Sequence, residues 1–449
     1  MTRLAVAAGL LVSGLALAAV LPGVARAELV PGSAGATEAW LAVAADGSPR
    51  VAFVGPGGAV EVAARSGDGV WTVQTAVPAG SPLTLCGLEL GRKGAIALVE
   101  TVNGSTLSLA EQTSTGWRVR RIAAAPTGGQ LGRGALTVDR SGRPLVAYVS
   151  LRSSRKSYLR LVHEDASGRL VGEAVTRDGF PQSSAPPVAA PVVLRSGAVR
   201  VLEAFDGAAI DWQRTKNQKS WTGQFLYANS LATVAGVAQA LPNPLGGVWS
   251  AWTELFPSAG ESELVIALHL DGVHTAVLHR HAFLVGLALG ADVPEVAADD
   301  YVDLNGRRTV YAGLVIEQDG TTVELAGDLQ GYAVDAAGAR DYVLVDTAGV
   351  SWFRSPTPPT SAVTLAASVA GGSSVTLTGR VTGVSAGSVE LWRETASGST
   401  LAATVPLAGD GTFTWTETPP AGVLTYRAVY FDPTTGLPLG SLLRTPLGT

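Results

Sequence analysis

Disulfide chemistry is almost absent from this sequence: Cys86 is the one cysteine, so no intrachain bridge can hold the fold together. Cys86 sits in the apolar stretch Leu83-Thr84-Leu85-Cys86-Gly87-Leu88, which marks it as a buried small hydrophobe rather than a reactive thiol. Charge is also scarce. Charged residues make up 15% of the chain and the formal charge is -5, so there is no basic face of the kind nucleic acid requires, and no nucleic-acid partner is expected. Between Glu28 and about Ser355 no long segment repeats its apolar residues at the helical period, which argues against an α-helical body. Familiar catalytic signatures are missing too: there is no Gly-x-Ser-x-Gly elbow, and no phosphate-binding glycine loop leads into a helix. Stability then has to come from burial and sheet hydrogen bonding, for which 47% hydrophobic residues suffice.

An apolar run long enough to concern a membrane occurs once, at the N-terminus. Met1-Thr2-Arg3 is a short basic start, Leu4 to Val20 is apolar, and Leu21-Pro22-Gly23-Val24-Ala25-Arg26-Ala27 ends on the Ala-x-Ala pattern of a signal peptidase site. Residues 1–27 therefore read as a cleavable signal peptide, leaving Glu28 as the mature N-terminus of a secreted, extracellular protein. The alternative, an uncleaved anchor, is opposed by Gly9, Gly14 and the Pro22-Gly23 break. No cysteine follows the run to carry a lipid, and the mature chain is expected to be free of the membrane. Loss of Arg3 and Arg26 with the leader takes the formal charge from -5 to -7.

What the chain has in abundance is a strand-and-turn vocabulary. One unit recurs: an apolar strand, a turn containing glycine, and a second apolar strand, as in Leu41 to Val54 around Asp46-Gly47 and in Leu136 to Val149 around Asp139 and Gly142. Weaker copies centre on Gly94, Gly197, Gly246-Gly247, Gly306 and Gly338. Successive turn glycines lie roughly 30 to 60 residues apart, the range of propellers, solenoids and arrays. Several copies are followed by a turn into tryptophan and an alternating strand: Gly69-Val70-Trp71, Gly116-Trp117 and Ser220-Trp221. Each unit thus supplies about four strands, and about seven units describe an all-β propeller, with six or eight blades also open. The last unit, Tyr332 to Ser355, is one strand short, and Glu28 to Val30 is the segment that could complete it and close the ring.

On these residues the body, 28–355, resembles secreted bacterial β-propeller repeat proteins. The stretch Ser66-Gly67-Asp68-Gly69-Val70-Trp71-Thr72 is similar to the Asp-box of sialidase-like propellers, with the Asp-to-Trp spacing one residue shorter. In that family the motif fixes a turn, so the resemblance implies architecture and no chemistry.

The texture changes at Pro356-Thr357-Pro358-Pro359, a stiff linker over 356–361. Strand candidates follow at Val363 to Val369, Ser374 to Val381, Ser388 to Glu394, Leu401 to Leu407, Thr412 to Glu417, Leu424 to Phe431 and Ser441 to Thr445, a count and spacing that suit a sandwich over 362–449. Through Gly387 to Arg393, Gly411 to Trp415 and Thr425 to Tyr430 this part resembles immunoglobulin-like modules of secreted bacterial proteins. The resemblance implies a buried aromatic at Trp392, a tyrosine-corner-like contact at Tyr426 and a spacer or binding role.

Few constellations could carry chemistry. Of the five histidines, His163 stands apart, while His269, His274, His279 and His281 fall within thirteen residues. His279 and His281 would share a strand face, as metal ligands can, but only Asp271 lies nearby and Arg280 adds positive charge, so no metal is assigned. Asp299, Asp300, Asp303 and Asn305 precede Gly306 in what reads as an acidic turn; the calcium-loop pattern fails because Tyr301 and Ala312 occupy ligand positions. Glycoside hydrolysis needs two facing carboxyls, for which Glu203, Asp206, Asp211, Glu254, Glu261 and Glu263 are available by type alone. A sialidase would add an Arg-Ile-Pro near the first repeat, and none is present. Trp249 and Trp252 fall on opposite strand faces and cannot make one sugar platform, and the recurrence of Trp71, Trp117 and Trp221 points to packing between blades.

The sequence thus leads to an exported propeller with a C-terminal sandwich, needing no cofactor. The expected role is non-catalytic recognition of an extracellular protein or glycan through propeller loops. A carbohydrate-active hydrolase or lyase with carboxylates at the propeller axis, and a structural component of an envelope assembly, are the competing readings.

Overall fold

The computed structural model describes residues 27–443, apart from 153–155, 177–179, 182–186, 206–207, 215–219, 229–232, 243–246, 257–260, 270–272, 281, 290–293, 304–308, 317–321, 327, 347, 356–362, 371–373, 382–383, 385, 396–397, 421–422 and 432–437. The predicted signal peptide up to residue 26 and the Pro-rich linker therefore lie outside the described residues, as do the side chains along 256–281 and 300–312.

Seven antiparallel sheets follow one another along 28–355, five of them with four strands ordered as they occur in the chain, one with two additional short strands, Ala135–Val138 and Phe180–Pro181, beside its main path, and the last closed by the first strand of the chain. We number them blades 1 to 7: 39–77, 83–124, 130–181, 188–228, 233–280, 282–326, and 328–355 joined by 28–29. Blade 7 takes its outermost strand from the start of the chain, with Glu28 opposite Trp352 and Leu29 opposite Ser351. This is the closure foreseen for the last repeat unit, and it ties the two ends of the ring by strand pairing.

The number of blades is fixed by their interfaces. Seven apolar clusters each join two consecutive blades, the last running from Val343, Val345 and Trp352 of blade 7 to Leu41, Val51 and Phe53 of blade 1. Because every sheet is covered on both faces, the second strands are buried without alternation, as in Gly94–Thr101 and Val199–Phe205. Burial falls toward the rim, where the outer strand Trp71–Val77 is largely exposed. The recurring tryptophans serve this packing. Trp71 meets Trp352 of blade 7 edge-on at 5.9 Å, Trp117 packs on the core between blades 1 and 2, and Trp221 on that between blades 3 and 4. Trp249 and Trp252 face opposite interfaces, as their spacing requires.

A device not seen in the sequence brings the innermost strands together. Leu85-Cys86-Gly87, Leu284-Val285-Gly286 and Leu329-Gln330-Gly331 each carry a bulge between the leucine and the glycine. A Cβ at Gly87, Gly286 or Gly331 would meet the Cβ of Leu136, Tyr332 or Leu41 in the next blade at 3.1, 3.2 and 2.9 Å. Glycine is what permits that approach. The N–H freed on each leucine is taken by an oxygen from the preceding blade or its entry: Glu38 at 2.8 Å, Thr253 at 2.9 Å and Asp299 at 3.4 Å.

Residues 363–443 form two further sheets, one ordered Val363–Ala370, Ser374–Val381, Thr412–Glu417 and the other Gly398–Pro406, Ser388–Thr395, Val423–Phe431, Pro438–Leu443. Leu377, Val381 and Phe413 of the first pack against Val389, Leu391, Tyr426 and Tyr430 of the second. Trp392 is buried, but it follows a bulge at Leu391 and stays out of that core.

Candidate functional site

Convergence of the blades leaves a cavity of about 540 Å3, lined by the innermost strands of all seven. Its wall follows from what these strands are made of: Leu, Val, Ala and Pro predominate, with Trp40 from blade 1. Among the described residues, its ionisable side chains are Cys86, Glu89, Arg133 and Tyr332.

Most polar groups in the wall are engaged within it. Arg133 Nη2 donates to the Leu85 carbonyl at 2.6 Å. Gln239 spans the blade 6 bulge, donating to the Val285 carbonyl at 3.1 Å and accepting from the Leu287 N–H at 2.7 Å. Gln330 donates to Asp328 at 2.7 Å, and the Tyr332 hydroxyl donates to Glu295, which also pairs with Arg340. Cys86 is buried, and desolvation pushes its thiol up to about 12, so it is inert as a nucleophile.

Glu89 is the exception. It is half-buried, and the protein surrounding it desolvates its carboxyl enough to push it up to about 7. Among the described residues it has no side-chain partner, only the backbone N–H of Leu90.

Of the carboxylates expected from the sequence, the three whose side chains are described, Glu203, Asp211 and Glu254, do not line the axial cavity. Glu203 lies in the second strand of blade 4, fully buried, accepting from Trp212 Nε1 at 2.9 Å, and burial pushes it up to about 7. Asp211 pairs with Arg200 within the same blade. Glu254 is buried in blade 5 and accepts from Trp252 Nε1 at 3.0 Å. Asp206 lies outside the described residues, as do the side chains of Glu261 and Glu263.

The acidic turn is not a turn at its start: Asp299, Asp300 and Asp303 belong to the strand Pro294–Asp303, where Asp299 and Asp300 pair with Phe283 and Ala282. Asn305 and Gly306 lie outside the described residues. His163 is in the third strand of blade 3. His269, His274 and His279 are on paired strands of blade 5, their side chains and His281 lying outside the described residues. Among the described residues, no group of three His, Cys, Asp or Glu is placed to hold a metal ion.

Sequence reasoning missed both the bulges and Glu89. The signal was present, since aligning the chain on Gly87, Gly286 and Gly331 sets Glu89 against Ala288 and Ala333.

No protein-family model matches the chain, and no curated protein matches it. Among solved structures it is similar to a mutant of the Aleuria aurantia lectin AAL in complex with Fucalpha1-6GlcNAc, with 14% identity, a TM-score of 0.39 and coverage of 88% of this chain and 100% of that one. AofleA from Arthrobotrys oligospora gives 10% identity and a TM-score of 0.42 over 68% of this chain and 90% of that one. A protein of unknown function from Dyadobacter fermentans gives 11% and 0.44 over 75% and 100%. At these values the likeness carries no argument. The propeller rests on the chain's own strand pairing and interfaces.

Proposed function

We propose that this chain is an exported, non-catalytic binding protein whose propeller recognises an extracellular protein or glycan through its loops. The observation that carries the reading is the axial wall, which among the described residues offers a single carboxylate where hydrolysis of a glycosidic bond needs two, roughly 5 to 10 Å apart. The described candidates elsewhere, Glu203, Asp211 and Glu254, are held by Trp212, Arg200 and Trp252 inside their blades. Export is read from the leader. It is supported by the start of the ring-closing strand at Glu28, the residue that an Ala25-x-Ala27 cleavage would leave first.

Two finer assignments belong to the same reading. Ser66 to Trp71 is taken as an Asp-box-like turn, supported by the Ser66 hydroxyl bonding Asp68 and by the Ser66 N–H reaching the Val70 carbonyl at 2.9 Å. The sandwich at 362–449 is taken as an immunoglobulin-like module acting as spacer or second binding unit, supported by its two facing sheets.

The test is a screen of the mature chain, residues 28–449, against a glycan array and envelope fractions, with product release measured in parallel. Binding without turnover is expected. Release of product from any glycan would overturn the reading in favour of a carbohydrate-active enzyme.

A further inference from the structure

The repeat contains its own control for Glu89. Gly87-Leu88-Glu89 of blade 2 stands where blade 6 has Gly286-Leu287-Ala288 and blade 7 has Gly331-Tyr332-Ala333, each following the same bulge and lining the same cavity. Alanine is therefore sufficient for the fold at this position. Glu89 places an ionisable group in an apolar wall without a side-chain partner, at a cost in desolvation. A group that costs stability and serves no contact in the wall is left facing whatever occupies the cavity.

The other ionisable groups of the wall do not answer it. Arg133 is held on the Leu85 carbonyl, and its charge acts on Cys86 and Glu100; Tyr332 is turned to Glu295; the Cys86 thiol stays protonated. The cavity, about 540 Å3, is lined by residues with mostly aliphatic side chains and also presents polar surface, and it has the size of a small-molecule site rather than a groove for a polymer.

From this geometry we infer that the axial cavity binds a small organic cation, an ammonium group on an apolar body, with Glu89 as its anchor and the aliphatic wall and Trp40 around its body. The ammonium donates to the Glu89 carboxylate, and the pair is desolvated together, which strengthens it. Binding near neutral pH then draws a proton off Glu89, because a neighbouring cation favours the ionised form.

The inference is independent of the partner recognised through the loops. The probe is n-hexylammonium, titrated calorimetrically into the mature chain at pH 8 beside 1-hexanol and hexanoate. Hexylammonium is expected to bind about tenfold or more tightly than either. At pH 7, buffers of different ionisation enthalpy should reveal proton release on binding. Glu89→Ala, which places there the residue of blades 6 and 7, should raise the melting temperature at pH 8, because the desolvated carboxylate is gone, and lose at least about tenfold in affinity. Glu203→Gln, which removes a buried carboxyl away from the cavity, should bind as the parent does. Absence of hexylammonium binding, equal binding of 1-hexanol, or an unchanged affinity in Glu89→Ala would each overturn the site. None of these outcomes bears on the glycan and envelope screen.

Discussion

Glu28 and Arg65 meet across the seam between blades 7 and 1, the two Glu28 carboxylate oxygens accepting from Arg65 Nε and Nη2 at 2.8 Å each. The same carboxylate accepts from Trp71 Nε1 at 3.1 Å, and the Arg65 guanidinium lies 5.0 Å from the Trp352 ring. A residue paired by its backbone to blade 7 is thus held by its side chain to blade 1. Arg65 holds the Glu28 carboxyl below its ordinary value. That stabilisation is present above about pH 4.5 and lost as pH falls through the lowered value. Both side chains are partly exposed, so the pair is worth about 1 kcal/mol or less.

Ser33 makes the stronger prediction at this seam. Fully buried, its hydroxyl donates to the Val30 carbonyl at 2.7 Å and accepts from the Val350 N–H at 2.8 Å. Ser33→Ala leaves that N–H buried without its partner and should cost about 1–3 kcal/mol in chemical denaturation. Deletion of residues 28–35 should cost more, because the closing strand goes as well. An unchanged denaturation midpoint in the deletion would mean that the ring does not depend on this strand.

Gly331→Ala tests the close approach of innermost strands. The new Cβ would stand 2.9 Å from the Leu41 Cβ, 3.2 Å from the Leu41 nitrogen and 3.2 Å from the Val343 Cβ, so blades 7 and 1 would have to separate. A loss of about 1–3 kcal/mol is expected. Gly57→Ala is the control, since nothing lies within 4 Å of its added Cβ. Comparable melting temperatures for the two variants would show that the seam tolerates the extra atom.

These positions also mark where sequence reasoning succeeds and stops. Turns around Gly47, Gly142, Gly197 and Gly338 were readable because a positive φ in a short hairpin favours glycine, and all four have it. The tryptophans at 71, 117 and 221 were readable as packing residues because they recur in step with those turns. The blade count stayed open because it depends on how many interfaces close the circle, which is not a local property. Asp299 and Asp300 read as turn residues by type, yet pairing with Phe283 and Ala282 holds them in a strand, so tertiary pairing outweighs local preference. Glu89 was hidden because Leu88-Glu89-Leu90 looks like ordinary alternation until the bulge glycines put it in register with alanines.

In the sandwich, Glu417 ties the two sheets. It accepts from Arg393 at 2.8 and 2.5 Å and from the buried Tyr426 hydroxyl, so Tyr426 contacts a side chain of the facing sheet rather than the upstream backbone expected of a tyrosine corner. Burial alone would raise the Glu417 carboxyl, but the Arg393 and Tyr426 bonds outweigh it and hold the value below the ordinary 4.5. Tyr426→Phe should therefore cost about 1–2 kcal/mol at pH 7. The deficit should shrink as pH falls through the lowered Glu417 value, where protonation weakens the bond in the parent. Denaturant titrations at pH 7 and pH 3 measure this, and a deficit that does not change with pH would assign the loss to packing.

Glu203 behaves in the opposite sense. Its Oε2 accepts from Trp212 and its Oε1 is buried without a partner, so burial pushes its carboxyl from 4.5 up to about 7. Between those values the folded chain binds the proton that the unfolded chain has released, and stability falls as pH rises. The contribution of the neutral form is complete below about pH 4.5 and is lost as pH passes about 7. Glu203→Gln keeps an acceptor for Trp212 and removes the ionisation. It should match the parent near pH 4.5 and exceed it at pH 8 by up to roughly 3 kcal/mol. Thermal scans of both proteins across that range decide the matter: parallel curves would mean that Glu203 ionises in the fold at no cost.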